Sequence, residues 1–368
     1  MPLYQELNEN TEEGRRTLGR LMELRSALQK EIPMRTLEET LLLATWNIRD
    51  FDKPAYGKRL DESFYYIAEI ISHFDLVAIQ EVYKDLTGLN RVMATLGPAW
   101  KFIFSDETMG PRGNDERLAF VYDSRKVEFG GLSGELVLPP IEDDEGKWHP
   151  VSQLFRSPMI VGFRSGWCRF MLATVHILWG GGIANPPQRI REIREVAQFL
   201  KERTEDETAW ARNLILLGDF NTFGNDDETF QQILNAGFTV PKRLLDFRTN
   251  AKRTRHYDQI AFRTRPGSLE GTAQAGVFDY YKTVFSNTIE DRDLYAPYIQ
   301  KTIVESNRNK PPSKRRKEFG DRTEAGKTNY YRTYWRTHQM SDHLPMWVEL
   351  RIEYSDEYLQ SKLNMGIH

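Results

Sequence analysis

Short apolar runs that end in a polar side chain recur along this chain and decide which folds are open to it. From Leu41 onward the pattern predicts seven strands, at 41–47, 75–81, 118–123, 170–176, 213–219, 257–262 and 344–350. Helical patterns lie between them at 57–72, 188–203 and 227–236. Four of the strands end in a polar residue: Asn47, Glu81, His176 and Asp219. Because α/β sheets present functional groups where their strands end, the pattern predicts an α/β protein with a polar site at one edge.

The overall composition is that of a soluble globular protein. Of the 368 residues 40% are hydrophobic and 28% are charged, and 50 basic residues against 53 acidic ones give a net charge of −3. Any nucleic-acid binding must therefore come from a local basic patch. The single cysteine, Cys168, excludes an intramolecular disulfide and a cysteine-rich zinc module.

No part of the sequence indicates a membrane segment or a signal peptide. The longest apolar runs are far shorter than the roughly 20 residues that span a bilayer. Residues 1–20 contain no apolar stretch of the kind that signal peptides have. We therefore expect no membrane insertion and a cytoplasmic location.

Two charged segments lie outside the strand pattern. Residues 9–30 carry leucines at roughly helical spacing, which favours an amphipathic helix packed on the rest or a partly loose extension. Residues 301–340 contain 11 Lys/Arg and 4 Asp/Glu; within them 307–320 has the composition of a long loop, and 330–337 interleaves aromatic and basic residues. This second segment is either a contact for a polyanion or a solvated, mobile insertion.

Six fragments carry residue types that are suited to chemistry. They are TWNIRDFD, AIQEV, TVHILWG, LLGDFNT, HYDQI and SDHLP, with the polar residues at strand ends or on adjoining loops. Carboxylates and asparagines offer the hard oxygen ligands that Mg²⁺ or Mn²⁺ prefers. The sequence contains neither an HExxH motif nor a cysteine ligand set, so a zinc protease has little support.

In order and rough spacing, these fragments resemble the endonuclease/exonuclease/phosphatase superfamily over about residues 40–352. Residues 276–285 (GVFDYYKTVF) also look like bacterial members. The resemblance implies a deoxyribonuclease-I-like fold, a four-layer α/β sandwich in which two packed mixed β-sheets are flanked by helices. We expect an N-terminal helical extension at 1–38, one catalytic domain at 39–355 with a basic, aromatic insertion at about 301–337, and a C-terminal tail at 356–368.

The resemblance also implies a metal site and a phosphate contact. Glu81 of the QE motif would be the main ligand of Mg²⁺ or Mn²⁺, and Asn47 and Asp342 would complete the site around the ion and its waters. Arg117 in ERLAFVYD resembles an arginine that approaches the substrate phosphate in nuclease members. Without the other motifs, Asn47 could brace a loop and Asp342 could cap a turn.

The remaining motif residues would act on the water and the phosphate. Asp219 would orient or deprotonate the attacking water, and Asn221 would hold that water or a phosphate oxygen. His343 would stabilise the scissile phosphate or act as the acid, with Asp258 as its carboxylate partner, and His176 would be a second histidine on the phosphate side. Such charge stabilisation and proton transfer are what phosphodiester hydrolysis requires.

Three functions remain open on these grounds. The first is a metal-dependent nuclease that acts on DNA or RNA, for which the basic 307–337 segment is support. The second is a phosphatase or phosphodiesterase of a small or lipid substrate, such as an inositol phosphate, a sphingomyelin-type headgroup or a nucleotide. The third is a catalytically silent binding module, which is disfavoured because every expected polar position is filled. We expect Trp46 and Trp179, which flank motif residues, to pack in the protein rather than to stack on a substrate.

Overall fold

The computed structural model describes residues 2–54, 57–109, 113–265 and 267–365, and it contains two mixed β-sheets. In spatial order the first has six strands: β12 (Glu270–Val277), β13 (Met346–Arg351), β1 (Thr40–Phe51), β2 (Leu76–Tyr83), β4 (Glu116–Asp123) and β3 (Trp100–Phe104). The second has five: β11 (Asp258–Arg263), β10 (Leu214–Asp219), β9 (Cys168–His176), β8 (Met159–Ser165) and β5 (Glu128–Glu135). A small hairpin is formed by β6 (Ile141–Glu142) and β7 (Trp148–His149).

Helices cover the outer faces of both sheets. They are α1 (Glu12–Glu31), α2 (Asp61–Ser72), α3 (Thr87–Leu96), α4 (Pro187–Glu205), α5 (Glu228–Asn235), α6 (Ile289–Asn307), α7 (Glu324–Tyr330), α8 (Arg336–Gln339) and α9 (Ser355–Met365). Strand β10 shows why its sequence is continuously apolar. Ile215 and Leu217 join the core between the sheets, whereas Leu214 and Leu216 join the core beneath α4 and α5. Both faces are buried, so the predicted four-layer sandwich is confirmed.

Strand pairing brings the polar strand ends together. The central pairs β1/β2 and β9/β10 are parallel, so each pair ends at one edge of its sheet. In the second sheet Asp219 is in register with His176 on one side and with Asp258 on the other. The faces of β1 and β10 contact each other, and the two polar edges therefore meet across the sandwich.

The N-terminal helix packs on the α/β core. Leu21, Leu24 and Leu28 of α1 are buried in the core between the sheets and α2, which confirms the packed-helix interpretation of 9–30. Buried Glu62 and Glu69 of α2 pair with arginines of α1 at 2.9 and 2.7 Å. Met22, which the apolar spacing placed on the same stripe, points outward and is 75% exposed. The domain boundary at 38/39 stays a prediction.

The basic segment has two different halves. Residues 308–323 are a loop with one 3₁₀ turn, Pro312–Lys314, as the composition predicted. Residues 324–339 are helical instead, with a π-helical turn at Tyr331–Trp335 between α7 and α8. Both end residues of that turn are buried against α6, and the Trp335 ring lies 5.3 Å from that of Tyr295. Tyr331 and Trp335 are therefore core residues, and their rings are not available to stack on bases.

Across the described ranges of the chain, no helix is both long enough and apolar enough to cross a membrane.

Candidate active site

The site begins where β1 and β2 end. Asn47 lies in register with Gln80, and the pairing shifts immediately after both residues, so that Glu81 leaves the regular strand. Glu81 has a φ of +62°, a left-handed conformation that non-glycine residues rarely adopt. The irregular backbone turns the Glu81 side chain toward Asn47 across the two strand ends. Such strained positions persist only where surrounding contacts fix them.

Asn47 links the ends of the two sheets. Its side chain is fully buried, and Nδ2 donates to Glu81 Oε1 at 2.9 Å and to Asp219 Oδ2 at 3.0 Å. Within the described residues Asn47 Oδ1 accepts no hydrogen bond. One amide thus joins the buried carboxylate of Asp219 to the half-buried carboxylate of Glu81 and leaves an unpaired oxygen in the same place.

Asp219 lies at the centre of the site because of the GDFN turn. The preceding Gly218 has a φ of +131°, and a Cβ there would lie 2.2 Å from the Val175 carbonyl oxygen, so only glycine fits. Asn221 has a φ of +54°; its backbone N–H donates to Asp219 Oδ1 at 2.8 Å, and its Nδ2 donates to the Ile177 carbonyl at 2.8 Å. Burial raises the pKa of Asp219, although the charges of the two nearby histidines oppose it.

His343 and Asp258 form a buried pair. His343 Nδ1 lies 2.8 Å from Asp258 Oδ2, and Nε2 lies 3.6 Å from Asp219 Oδ2. Trp46 is buried as expected, and its Nε1 donates to the His343 carbonyl at 3.1 Å, which fixes the backbone of the SDH loop. Burial by itself lowers the pKa of His343, but the charges of Asp258 and Asp219 outweigh it and raise the pKa well above its usual value.

His176 has a carboxylate partner that the sequence analysis missed. Its Nδ1 lies 2.5 Å from Oε1 of buried Glu116, and its Nε2 lies 3.6 Å from Asp219 Oδ2. Arg156 Nε lies 2.6 Å from the same Glu116 oxygen. Burial, followed by the charge of Arg156, lowers the pKa of His176 to about 4, and burial raises that of Glu116 to about 7. The two imidazoles therefore have the same geometry around Asp219 but opposite pKa shifts.

Arg117 points away from this pair. Its guanidinium donates to the Ser105 carbonyl at 2.9 Å and lies 3.1 Å from the Asp106 carboxylate. These partners are not among the other predicted site residues, so the role of Arg117 toward a substrate phosphate stays a prediction. Arg156 is the arginine next to His176, and its position in the irregular segment before β8 gave no signal in the sequence.

The SDH loop is tied to β1 by Ser341. Its hydroxyl donates to the Asn47 carbonyl at 2.6 Å and accepts the backbone N–H groups of Arg49 and His343 at 3.1 and 3.0 Å. Asp342 lies at the rim, with a side chain that is 45% exposed and 3.8 Å from Arg49. Its assignment as a metal ligand stays a prediction.

Asp50 is a second acidic residue beside Glu81, and the sequence analysis did not single it out. Its backbone N–H donates to Glu81 Oε2 at 2.6 Å, and its φ is +42°. Burial and the neighbouring Glu81 charge raise its pKa to about 6. The unpaired Asn47 oxygen and these crowded carboxylates fit a hard divalent cation, which would relieve their repulsion.

A second group of possible ligand atoms belongs to Asp219, Asp258 and His343, whose atoms lie within 4.8 Å of one another. In that group His343 Nδ1 and Asp258 Oδ2 already bond to each other, whereas Asn47 Oδ1 has no partner among the described residues. Trp179, three residues after His176, was expected to pack in the protein, but its side chain is 53% exposed.

Comparison with known proteins finds a sequence relative and several solved structures with a similar fold. No family model matches the chain. A protein of Thioalkalivibrio sp. (strain K90mix) named deoxyribonuclease is 32% identical over 185 residues, which are 49% of this chain and 46% of the relative. The chain thus aligns with about half the length of that relative.

Among solved structures, an endonuclease/exonuclease/phosphatase protein from Bacteroides vulgatus has a TM-score of 0.50 and 16% identity, covering 85% of this chain and 99% of the other. A mannosyl-6-phosphatase from Bacteroides thetaiotaomicron has a TM-score of 0.48 and 17% identity, covering 84% and 99%. D. rerio TDP2 complexed with a single-strand DNA product has a TM-score of 0.48 and 12% identity, covering 84% and 98%. At these identities the likeness concerns the fold.

Proposed function

The chain has the fold of the endonuclease/exonuclease/phosphatase superfamily, as its motifs indicated, and on that premise we propose that it is a metal-dependent nuclease that hydrolyses phosphodiester bonds of DNA or RNA. The observation that carries the proposal is the symmetry around Asp219. Two histidines, each bonded through Nδ1 to a buried carboxylate, direct Nε2 to within 3.6 Å of the same Asp219 oxygen. Hydrolysis needs groups that remove one proton and supply another on opposite sides of a phosphorus atom, and this arrangement offers them.

The metal side of the site would be formed by Asn47 and Glu81, with Asp342 and Asp50 at its margin. A bound Mg²⁺ or Mn²⁺ supplies positive charge for the phosphoryl oxygens and the departing oxygen. The chain's own contribution is to hold Glu81 between the Asn47 amide and the Asp50 backbone N–H. Arg117 remains a candidate contact for a substrate phosphate outside this centre.

The two imidazoles would have different tasks because their charges differ. The charges of Asp258 and Asp219 raise the pKa of His343 and so favour its protonated form, which can stabilise charge on the phosphoryl oxygens or protonate the leaving oxygen. His176, whose pKa is lowered to about 4, is neutral and presents a free Nε2 beside Asp219. Asp219 accepts the proton of the attacking water, and Asn221 fixes its carboxylate through the backbone N–H.

A substrate panel tests the proposal. Plasmid DNA, linear duplex, single-stranded DNA, RNA, inositol phosphates and sphingomyelin are each incubated with Mg²⁺, Mn²⁺, Ca²⁺ or EDTA. We expect cleavage of nucleic acid with Mg²⁺ or Mn²⁺ and none in EDTA. Cleavage of the small or lipid substrates alone would establish the phosphatase or phosphodiesterase alternative, and no cleavage of any substrate would favour a binding module.

Glu81→Gln tests the metal assignment separately from activity. Electron paramagnetic resonance titration with Mn²⁺ should show weaker binding than in wild type, and part of the lost activity should return at high Mg²⁺. The matched control is Glu128→Gln, which removes the same charge from an exposed carboxylate on β5 that pairs with Arg164. Full activity of the wild-type chain in EDTA would contradict the metal-dependent mechanism.

A further inference from the structure

A cavity of about 670 Å³ opens beside the catalytic groups and has no role in the mechanism above. Five cationic side chains line it, together with one carboxylate: Arg49, Lys252, Arg255, Arg332, Arg336 and Asp342. We refer to this cavity as the basic cleft. Its cations come from three separate parts of the chain, the end of β1, the loop before β11 and the helical turns before the SDH motif.

The basic cleft adjoins the reaction centre through two of its lining residues. Asp342 is the residue directly before His343. Tyr257, which directly precedes Asp258, has its ring centroid 5.4 Å from that of His343. A group bound in the cleft would therefore lie beside a phosphate held at His343, and not in the same place.

Backbone and side-chain hydrogen bonds hold the cations of the β11 loop in place. Ala251 N–H donates to the Asp342 carbonyl at 2.7 Å, which attaches the loop to the SDH motif. Asn250 Oδ1 accepts the backbone N–H of Arg255 at 2.9 Å and closes the turn that contains Lys252. The two cationic side chains thus start from a backbone in fixed register with the catalytic loop.

Most of these charges are not compensated. Within the described residues, Lys252, Arg255 and Arg332 have no carboxylate within 4.0 Å. Arg253, between two of them, instead pairs with Asp279 at 3.3 Å and does not line the cleft. Several like charges facing one cavity create a positive potential that attracts an anion.

We propose that the basic cleft binds the backbone phosphate next to the scissile one on a nucleic-acid strand. This proposal rests on the nuclease function proposed above and adds the subsite that selects a polyanion. A small phosphoester with a single phosphate places it at the reaction centre and leaves the cations of the cleft unmatched. A nucleic-acid strand places its next phosphate beside the first, where the uncompensated cations lie.

Salt-dependent binding tests the subsite without any need for cleavage. All proteins carry His343→Ala, and binding to fluorescein-labelled DNA and RNA oligonucleotides is followed by fluorescence anisotropy over a salt series. Lys252→Ala combined with Arg255→Ala should make the slope of log affinity against log salt shallower by about one, because one backbone phosphate is no longer neutralised. The matched control combines Arg253→Ala with Arg164→Ala, which removes two charges outside the cleft and should leave the slope unchanged.

Dinucleotides with a single scissile bond test the same subsite in otherwise native protein. Wild type is compared on dTpdT and on the same compound with a phosphate added at the 5′ or the 3′ end. One of the added phosphates should raise kcat/KM by about tenfold, the worth of one charge-assisted hydrogen bond. In the Lys252→Ala, Arg255→Ala variant that ratio should fall to about one, whatever the variant's overall activity.

The outcomes separate the subsite from the function. If the chain binds nucleic acid and the salt slope of the double variant equals that of wild type, the subsite is overturned and the nuclease function stands. A phosphate preference that persists in the double variant overturns it as well. If wild type neither binds nor cleaves nucleic acid, the proposed function and the subsite fail together.

Discussion

Replacing Asp258 with asparagine changes one buried charge and almost nothing of the side-chain shape. The Asp258 carboxylate is fully buried and lies 2.8 Å from His343 Nδ1. Its negative charge is the main influence that raises the pKa of His343 against the effect of burial. With asparagine in its place, the imidazole keeps a neighbour of the same size but loses the charge that keeps it protonated.

The magnitude follows from the type of bond that is lost. A hydrogen bond to a charged group contributes about 1.5–3 kcal/mol, and each 1.36 kcal/mol is about tenfold in rate. Asp258→Asn should therefore lower kcat/KM by about 10- to 150-fold. His343→Ala should cost about 10²- to 10⁴-fold, the usual range for a positioned acid or base. Adding Asp258→Asn to His343→Ala should cost little more, because the two residues act as a unit.

The assay is kcat/KM for nucleic-acid cleavage in the four-member cycle, with thermal melting to show that each variant is folded. The chain offers a matched control in Asp143 and His149, an exposed pair 2.5 Å apart on the β6–β7 hairpin. Asp143→Asn and His149→Ala should leave kcat/KM unchanged. If the losses at Asp258 and His343 multiply, the two residues act separately. If folded His343→Ala stays within about threefold of wild type, well below the range for a positioned acid or base, His343 is not the catalytic acid and the role assigned to the SDH motif is wrong.

Three further predictions use other parts of the structure. Glu116→Gln should lower kcat/KM by about tenfold or more, because it removes the carboxylate partner of a buried imidazole; an unchanged value would make Glu116 structural. Replacing residues 314–317 with serine should weaken nucleic-acid binding and flatten its salt dependence by a few units, whereas an unchanged slope would exclude the loop from the interface. Burial raises the pKa of Asp123, but hydrogen bonds from Arg125 and Arg35 lower it well below its usual value, so its stabilising effect is present above the unfolded pKa of about 3.9 and is lost as pH falls through the folded pKa. Urea denaturation should therefore show Asp123→Asn less stable than wild type at pH 7, with the difference shrinking below about pH 4; a difference that is constant with pH would contradict this linkage.

The strands that form the centre of the sandwich could be predicted because both of their faces are buried. Strand 213–219 was expected from its continuous apolar run, and the structure has it at Leu214–Asp219. Edge strands gave no such signal. Strand β5, Glu128–Glu135, is glycine-containing and mostly exposed, so it has neither an apolar run nor a clear alternation. Its position depends on pairing with β8, which is a property of the folded sheet.

Helix α6 was missed for a related reason. Ile289–Asn307 contains Pro297 within the helix, and its buried stripe of Tyr295, Ile299 and Ile303 is obscured in the sequence by apolar residues that are exposed, such as Leu294 and Val304. Its buried side chains, such as Tyr295, pack against aromatic residues of the π-helical turn. Tertiary contacts therefore decide where this helix forms, whereas sequence periodicity detects only helices with a regular apolar face.

Glu116 shows how far motif resemblance can place individual side chains. The fragment ERLAFVYD was recognised, but the residue assigned from it was Arg117, and the structure turns its neighbour Glu116 toward His176. Successive residues of a strand face opposite sides of the sheet, so Glu116 and Arg117 point to different parts of the molecule, and the role of Arg117 toward a phosphate stays a prediction. In β4 nearly every residue is buried. The sequence therefore shows no alternation of apolar and polar residues that would indicate whether Glu116 or Arg117 faces the site.

Backbone geometry is the other part of the site that sequence could not provide. Asp50, Glu81 and Asn221 all have positive φ values. The backbone N–H of Asp50 donates to the Glu81 carboxylate, and that of Asn221 donates to the Asp219 carboxylate. Each such conformation costs of the order of 1 kcal/mol or more outside glycine, so it survives only where several contacts fix it. At Glu81 those contacts come from Asn47 on the neighbouring strand and from Asp50 in the following turn. The geometry around Asn47 and Glu81 is therefore produced by the meeting of two strand ends, and no local stretch of sequence contains it.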